Sequence, residues 1–538
     1  MKLSIGIFFS IALLSTQQKI AAQQSLKSNV LFIAVDDLKP LLGCYGVADI
    51  KTPNIDRLAK MGTVFLSNYC QQSVCGPTRA SIMTGMRPDY TKVYDLKTQM
   101  RDVNPDIVTI PQYFANNGYA TSGIGKIFHP TCVDKQNDKP SWTIPYLEAE
   151  SYNYAPGFSK PVLVGGYQLP ETKVLVDKYM QEGKAKGLKD ADLKNYVMKF
   201  IKPSTECIEV PDNAYEDGAN AIRAKEEMIE LSKGSQPFFM AVGFHRPHLP
   251  FIAPKKYWDL YQRANMKTAT FQKPVKNGVA MAYHNASELT AYTDITPLTS
   301  FSDLKDIGAT LSVEKQKELI HGYYAAVSYT DAQVGLLLKA IDSLGLSKNT
   351  IIVLWGDHGW HLGDHNLWCK HTNFEQATHA PLIISAPGIA ASKTTASTEF
   401  VDVFPTLAAL AGLPVPSNLH GKSQVSVMKN PTTSVKDYSV SQYPRSGLYS
   451  ETERLGYADA KVMGYSIRTK QYRYTIWMKD YYRSNQPFNQ ALVAGEELYD
   501  YKKDPDETVN VVADKMYKSI SKEMNSKMLD FFKSQAKK

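Results

Sequence analysis

Short, wholly apolar runs alternate along this chain with longer stretches of helical spacing. The first run, Val30 to Val35 in NVLFIAVDDL, ends in two aspartates. A strand covered on both faces reads this way, without the polar–apolar alternation of a half-buried one. TPNIDRLAKMG follows as a helix entered at Pro53 and closed by Gly62. IVTIPQYFANNGYATSGIGKIFH gives another helix and a short strand. Ala219 to Ser232 has helical spacing, Phe238 to Val242 reads as a strand, and a loop rich in His and Pro comes next. A long amphipathic helix through YYAAVSYTDAQVGLLLKAIDSLGL leads to a strand over Thr350 to Trp355, and APLIISAPG holds one more. Strands alternating with helices predict an α/β domain built on a parallel or mixed sheet, with ligands at the carboxyl ends of its strands.

Two regions break the alternation. Between Pro130 and Gln236 the pattern is irregular, and its Lys-rich stretch from Val174 to Lys202 reads as a helical surface insertion. Asn265 to Leu311 reads as a long loop. After about Lys429 the segments become short and aromatic-rich. MGYSIRTKQYRYTIWM alternates like a strand pair turning at Lys470 and Gln471, and a helix over Lys515 to Ser534 closes the chain. The expected division is a leader over 1–22, a catalytic domain over 23–430 and a smaller antiparallel α+β subdomain over 431–538.

The leader is a further expectation from pattern. Lys2 precedes an apolar stretch from Ile5 to Leu14, and Ile20, Ala21 and Ala22 resemble a cleavage site. That apolar stretch is too short to span a bilayer and no second one follows, so the chain reads as exported to the periplasm or the medium, without a membrane anchor. The net charge is +8 with no dense basic tract, which fits an anionic substrate and argues against nucleic acid. The six cysteines, Cys44, Cys70, Cys75, Cys132, Cys207 and Cys369, are irregularly spaced and form no CxxC pair. Neither a disulfide framework nor a structural zinc site is indicated.

Three groups of residues carry candidate chemistry. Cys75 stands just before Pro77, where a helix can begin; its amino end would favour a thiolate, and Arg79 lies one turn on. The alternative is a small buried hydrophobe. Asp36 and Asp37 end one apolar run, and Asp357 and His358 end another. Carboxylates converging there call for a cation, and oxygen donors favour calcium or magnesium over zinc. The alternative is that each Asp caps the turn after it. Lys126 and His129 in GKIFH, His245 and His248 in GFHRPHLP, and Lys370 add positive charge. Together these groups describe a site for a tetrahedral phosphoryl or sulfuryl ester.

Cys75-Gly76-Pro77-Thr78-Arg79, followed by Thr84-Gly85, resembles the type I sulfatase signature C-x-P-x-R-x4-T-G. Asp36-Asp37, GKIFH, DHG and ELYDYKKDPDETVN occur in that family's order. AVGFHRPHLPF, DHGWHLGDHNLWCKHTNFEQATHAPLI and SQYPR are similar to its iduronate-2-sulfatase branch. The resemblance implies an alkaline-phosphatase-like fold with a mixed, mainly parallel sheet flanked by helices. It implies that a formylglycine-generating maturation enzyme oxidises Cys75 to formylglycine (3-oxoalanine), whose hydrate attacks the sulfate ester. One calcium ion would be held by Asp36, Asp37, Asp357, His358 and the modified Cys75. Arg79 would steady the formylglycine oxygen, Lys126 and Lys370 would bind sulfate, His129 would take the diol proton and His245 would protonate the leaving sugar oxygen. For the substrate, a sulfated uronic-acid-containing glycosaminoglycan or an algal glycan such as ulvan, Arg445, Arg468 and Trp477 are candidate contacts. The alternatives are a phosphate or phosphonate monoester hydrolase on the same fold and a non-catalytic glycan-binding relative.

Overall fold

A computed structural model describes residues 27–161, 163, 166–284, 286–295, 310–446 and 461–536. The leader read over 1–22 lies outside the described residues. The central sheet has seven strands. In chain order they are β1 (Asn29–Val35), β2 (Thr63–Phe65), β3 (Ala120–Gly125), β4 (Phe238–Phe244), β5 (Thr350–Gly356), β6 (Leu382–Ser385) and β7 (Ser392–Thr394). Their spatial order is β7-β2-β6-β5-β1-β4-β3. β1 pairs in parallel with β4 and with β5, and β3 pairs in parallel with β4. Only β6 runs against its neighbours in this sheet. The sheet is therefore mixed and mainly parallel.

Burial on both faces explains the unbroken apolar run in β1. Leu31, Ile33 and Val35 point into one core, and Val30, Phe32 and Ala34 into the other. The main helices are α1 (Cys75–Thr84), α2 (Pro170–Ala185), α3 (Asp190–Met198), α4 (Glu216–Ser232), α5 (Val313–Ser343) and α6 (Lys518–Gln535). Residues of α4 and α5 fill the first core; Ile82 and Met83 of α1 fill the second. α4 begins ahead of the expected Ala219, because Glu216 and Asp217 occupy its first turn, where acidic side chains suit the helix dipole. The Lys-rich insertion is two helices rather than one, broken where Gly187 adopts a φ of 76°. The segment expected as a loop from Asn265 carries short helical turns, including Ser287–Thr290, before residues 296–309, which are not described.

The carboxyl-terminal sheet is antiparallel, in the order β8 (Tyr438–Arg445), β9 (Val462–Thr469), β10 (Tyr472–Met478) and β11 (Val493–Asp500). The expected turn at Lys470 and Gln471 joins β9 to β10, with Arg468 opposite Arg473. α6 covers this sheet with Met524, Met528, Phe531 and Phe532. β8 also grips the segment just ahead of α1: Ser441 Oγ donates to the Cys70 carbonyl at 2.6 Å and the Gln442 amide to that of Gln71 at 2.7 Å.

Candidate active site

The carboxyl ends of β1, β3, β4 and β5 lie side by side, and each delivers polar residues to one place. Asp36 and Asp37 leave β1, and Asp37 turns through a left-handed φ of 56° that an aspartate tolerates. Tyr323 of α5 fixes this turn by donating to the Asp37 carbonyl at 2.8 Å and accepting from the Lys39 amide at 2.9 Å. Asp357 and His358 leave β5, Lys126 leaves β3 and His245 leaves β4. β3 and β4 approach too closely for side chains here. A Cβ on Gly243 would lie 2.2 Å from the Lys126 carbonyl oxygen. The absent side chain lets Lys126 and His245 emerge together.

α1 enters from the other side. Cys75 is its first residue, and Pro77 sits in the first turn, where a missing N–H leaves no hydrogen bond unmade. Gly85 closes the helix in the left-handed region, its amide on the Ser81 carbonyl at 2.9 Å. Cys75 is 2% exposed, and its Sγ lies 3.5 Å from His358 Nε2 and 4.0 Å from Asp37 Oδ1. The expected thiolate is not favoured. Burial, with Asp36 and Asp357 nearby, pushes the Cys75 thiol well above its ordinary range and outweighs the helix dipole, Lys126 and Lys370.

Arg79 is fully buried and ties the cluster together. Its Nε donates to Asp357 Oδ2 at 3.0 Å and its Nη2 to Asp36 Oδ1 at 2.9 Å. Lys126 Nζ pairs with Asp36 Oδ2, and Lys370 Nζ with both oxygens of Asp37 at 2.9 and 3.1 Å. Burial alone would raise the Asp36 carboxyl, but Lys126 and Arg79 hold it well below the usual range. Burial raises Asp37 despite Lys370. Asp36, Asp37, Asp357, His358 and Cys75 form overlapping groups with spacing fit for a metal ion. His358 Nδ1 faces the Gly359 carbonyl at 3.0 Å, so it must carry the proton. In the neutral ring the bare Nε2 then faces Asp37 Oδ1 at 3.3 Å and Asp357 Oδ1 at 3.7 Å, acceptor against acceptor. A hard divalent cation among these oxygens would satisfy that arrangement.

His129 and His245 flank the cations. Thr131 Oγ1 holds His129 Nδ1 at 2.9 Å, and burial with Lys126 lowers the ring to about 3, leaving it neutral. The His245 amide donates to Asp217 at 2.8 Å, and its Nε2 lies 3.5 Å from Glu216 Oε1. Desolvation and Lys126 lower His245 as well, so it must gain a proton before it can act as an acid.

Two further residues join this site: His248, read from sequence only as part of the cationic group, and Glu288, not read at all. His248 Nε2 lies 3.7 Å from Asp37 Oδ2 and 3.2 Å from Glu288 Oε1. Glu288 also accepts from Lys370 at 3.0 Å. His248 had a signal in its Pro-stiffened loop; Glu288 had none.

The three candidate substrate contacts are corrected. Trp477 is fully buried, with its indole N–H on Glu497 Oε2 at 2.8 Å, and offers no face to a sugar. Arg445 is fully buried and donates to the carbonyls of Met281 and His371, both at 2.8 Å, fastening the segment beside Lys370. Arg468 pairs with Glu375 at 2.9 Å and stacks 3.5 Å over Tyr501. Glu375 also binds buried Arg473, and the two guanidiniums hold its carboxyl well below the usual range against the effect of burial. Glu375→Ala leaves buried Arg473 with Glu507 as its remaining carboxylate, and we expect a loss of about 3 kcal/mol, read from the denaturant midpoint. Substrate KM should not change.

A buried cysteine at a helix start, facing carboxylates and lysines at strand ends, is the arrangement of a sulfuric ester hydrolase. Comparison places the chain accordingly: the sulfatase family profile matches residues 28–413, and the chain belongs to that family. A second profile, N-sulphoglucosamine sulphohydrolase, C-terminal, matches residues 363–534. Within the type I sulfatases the chain lies near the iduronate-2-sulfatase branch. It is 33% identical to iduronate 2-sulfatase of Homo sapiens, covering 84% of this chain and 85% of that one. It is 30% identical to a sulfatase of Formosa agariphila, covering 96% and 90%. The fold is shared with the phosphonate monoester hydrolase of Agrobacterium radiobacter (22% identity, TM-score 0.66, 94% and 96% covered) and with a 2-O GAG sulfatase (20% identity, TM-score 0.61, 95% and 92% covered). Among the described residues no helix is long and apolar enough to cross a membrane.

Proposed function

We propose that this protein is an exported, calcium-dependent sulfatase that removes sulfate from uronic-acid-containing saccharides, from glycosaminoglycans or from an algal glycan such as ulvan. The observation that carries the reading is the convergence of Asp37, His358 and Lys370 on the first turn of α1, where Cys75 stands. The iduronate 2-sulfatase relative supports the substrate class. A maturation enzyme would supply formylglycine at position 75. Residues 431–538 would complete the pocket as a second unit.

Asp36, Asp37, Asp357 and His358 would hold the ion, which when bound supplies Lewis acidity to a sulfate oxygen and to the nucleophile. The chain's own residues do the rest. Arg79 fixes Asp36 and Asp357. Lys126 and Lys370 bind the sulfate oxygens as charge develops on them. His245 donates a proton to the sugar oxygen as the S–O bond breaks. In the free site this ring is neutral, so the arriving sulfate anion must raise its affinity for that proton. His129 then takes a proton from the remaining hydroxyl at position 75, which releases sulfate.

His245→Ala should slow alkyl sulfates, which are poor leaving groups, about 10²–10⁴-fold, and activated aryl sulfates far less. Rates on a leaving-group series test this, and an equal loss across the series would remove the acid role. Release of sulfate from 2-O-sulfated uronate disaccharides, compared with 6-O-sulfated hexosamines, tests the substrate class. Turnover of the hexosamines alone would overturn it.

A further inference from the structure

Lys370 sits in an unusual position for a sulfate-binding group. An ammonium has three donors, and two of its neighbours here are carboxylates. It shares Asp37 with the proposed ion and reaches Glu288 Oε1 at 3.0 Å, while Trp360 lies 5.0 Å beneath it. Its side chain is 3% exposed. Once a divalent cation draws on the lone pairs of Asp37, that carboxylate holds the ammonium less well, and the two positive charges repel. Among the described residues, Glu288 is the one acidic partner of Lys370 outside the proposed metal-ligand set.

Glu288 does more than pair with one lysine. The same Oε1 lies 3.2 Å from His248 Nε2, and Oε2 lies 3.7 Å from His371 Nε2. Oε2 is buried and makes no hydrogen bond among the described residues. The carboxylate therefore stands where three basic side chains meet beside Asp37. It is carried there by the short turn Ser287–Thr290, entered through Ala286 at a φ of 52°. The far side of that segment is fastened to the insertion, with the Thr293 amide on the Lys202 carbonyl at 2.9 Å and the Ser204 amide on Asp294 at 2.8 Å.

We propose that Glu288 is a positioning residue that holds Lys370 and His248 toward the sulfate group independently of Asp37. The inference rests on the sulfatase reading given above. A carboxylate that only fastened loops would stabilise the protein without affecting anion binding. A positioning carboxylate sets the affinity for sulfate itself, as substrate group and as product.

The test is a comparison of wild type, Glu288→Gln, Lys370→Met and the double variant, each as full-length, matured, calcium-loaded protein. Binding of inorganic sulfate is measured by calorimetry, and KM and kcat on a sulfate ester that the wild type turns over. Glu288→Gln should weaken sulfate binding and raise KM in parallel, each about tenfold, the scale of one charge-assisted hydrogen bond. It should retain its calcium. In the Lys370→Met background the same change should have a smaller effect, because only His248 is left for Glu288 to hold. Sulfate binding equal to wild type in Glu288→Gln, or full additivity in the double variant, would overturn the proposal. If Glu288→Gln does not fold, Glu288→Asp keeps the charge but moves it back by one methylene. Weakened sulfate binding in that variant supports positioning, and wild-type binding overturns it. A wild type that neither binds sulfate nor cleaves sulfate esters would instead remove the sulfatase reading, and this inference with it.

Discussion

Cys75→Ala abolishes sulfate ester hydrolysis: the expected loss is roughly 10⁴–10⁶-fold in kcat, the scale seen when a covalent nucleophile is removed. The fold should survive, because Cys75 occupies the first turn of α1 and its Sγ makes only long contacts, at 3.5 Å to His358 and 4.0 Å to Asp37. Cys75→Ser tests the chemistry more sharply. It keeps a hydroxyl at the same place but cannot become an aldehyde by the same route, so it too should be inactive over many turnovers. The companion measurement is the mass of the tryptic peptide from Met61 to Arg79, taken from protein made with a maturation enzyme. Formylglycine differs from cysteine by the loss of hydrogen sulfide and the gain of oxygen, a change that alkylation does not produce. Unmodified cysteine in a fully active preparation would refute the mechanism while leaving the fold untouched. The buried thiol, pushed well above its ordinary range, argues the same way, because a plain cysteine here is a poor nucleophile.

The second large effect is at Asp357. Its Oδ2 accepts from Arg79 Nε at 3.0 Å and its Oδ1 from the Asp37 amide at 2.9 Å. Asp357→Ala removes both bonds and leaves buried Arg79 with Asp36 as its remaining carboxylate. We expect lost activity together with a loss of about 3–5 kcal/mol in stability. Asp357→Asn separates the two. The amide oxygen can serve the Asp37 N–H or the Arg79 Nε–H but not both, so one donor is stranded at a cost of about 1–3 kcal/mol. The fold remains, but one of the charges proposed to hold calcium is gone. Metal content should fall from one calcium per chain toward none, and kcat should fall at least about 10³-fold, as for a lost electrostatic stabiliser. Full calcium with full activity in Asp357→Asn would take Asp357 out of the metal site.

These effects could be anticipated from sequence because of how parallel strands work. A strand buried on both faces is an unbroken apolar run, and the residue that ends the run marks the point where the chain leaves the sheet. Asp36, Asp357 and His245 follow from that rule, Lys126 from the short strand ahead of it, and the spacing of Cys75, Pro77 and Arg79 located α1. The helix-start argument then gave the wrong sign for the Cys75 thiol, since it weighed the dipole but had no measure of burial. Glu288 carried no signal: it lies in a segment without periodicity, and its partner Lys370 lies 82 positions away. Arg445, Arg468 and Trp477 show the opposite failure. Alternation in β8, β9 and β10 reveals that residues face opposite sides of a sheet, but not which side is covered. Arginine or tryptophan on the buried side looks the same in sequence as one lining a cleft.

The clasp of β8 on the segment ahead of α1 also sets a clock. Ser441 closes on the Cys70 carbonyl, just ahead of the Cys75 helix, across 371 positions of chain. At roughly 5–20 residues per second of synthesis, that partner appears on the order of 20–70 s after Cys70 has been made. During that interval the sequence Cys75 to Arg79 has left the ribosome but cannot yet be sealed from this side. The native helix start is buried, so a catalyst that recognised Cys75, Pro77 and Arg79 would have to act before this clasp closes.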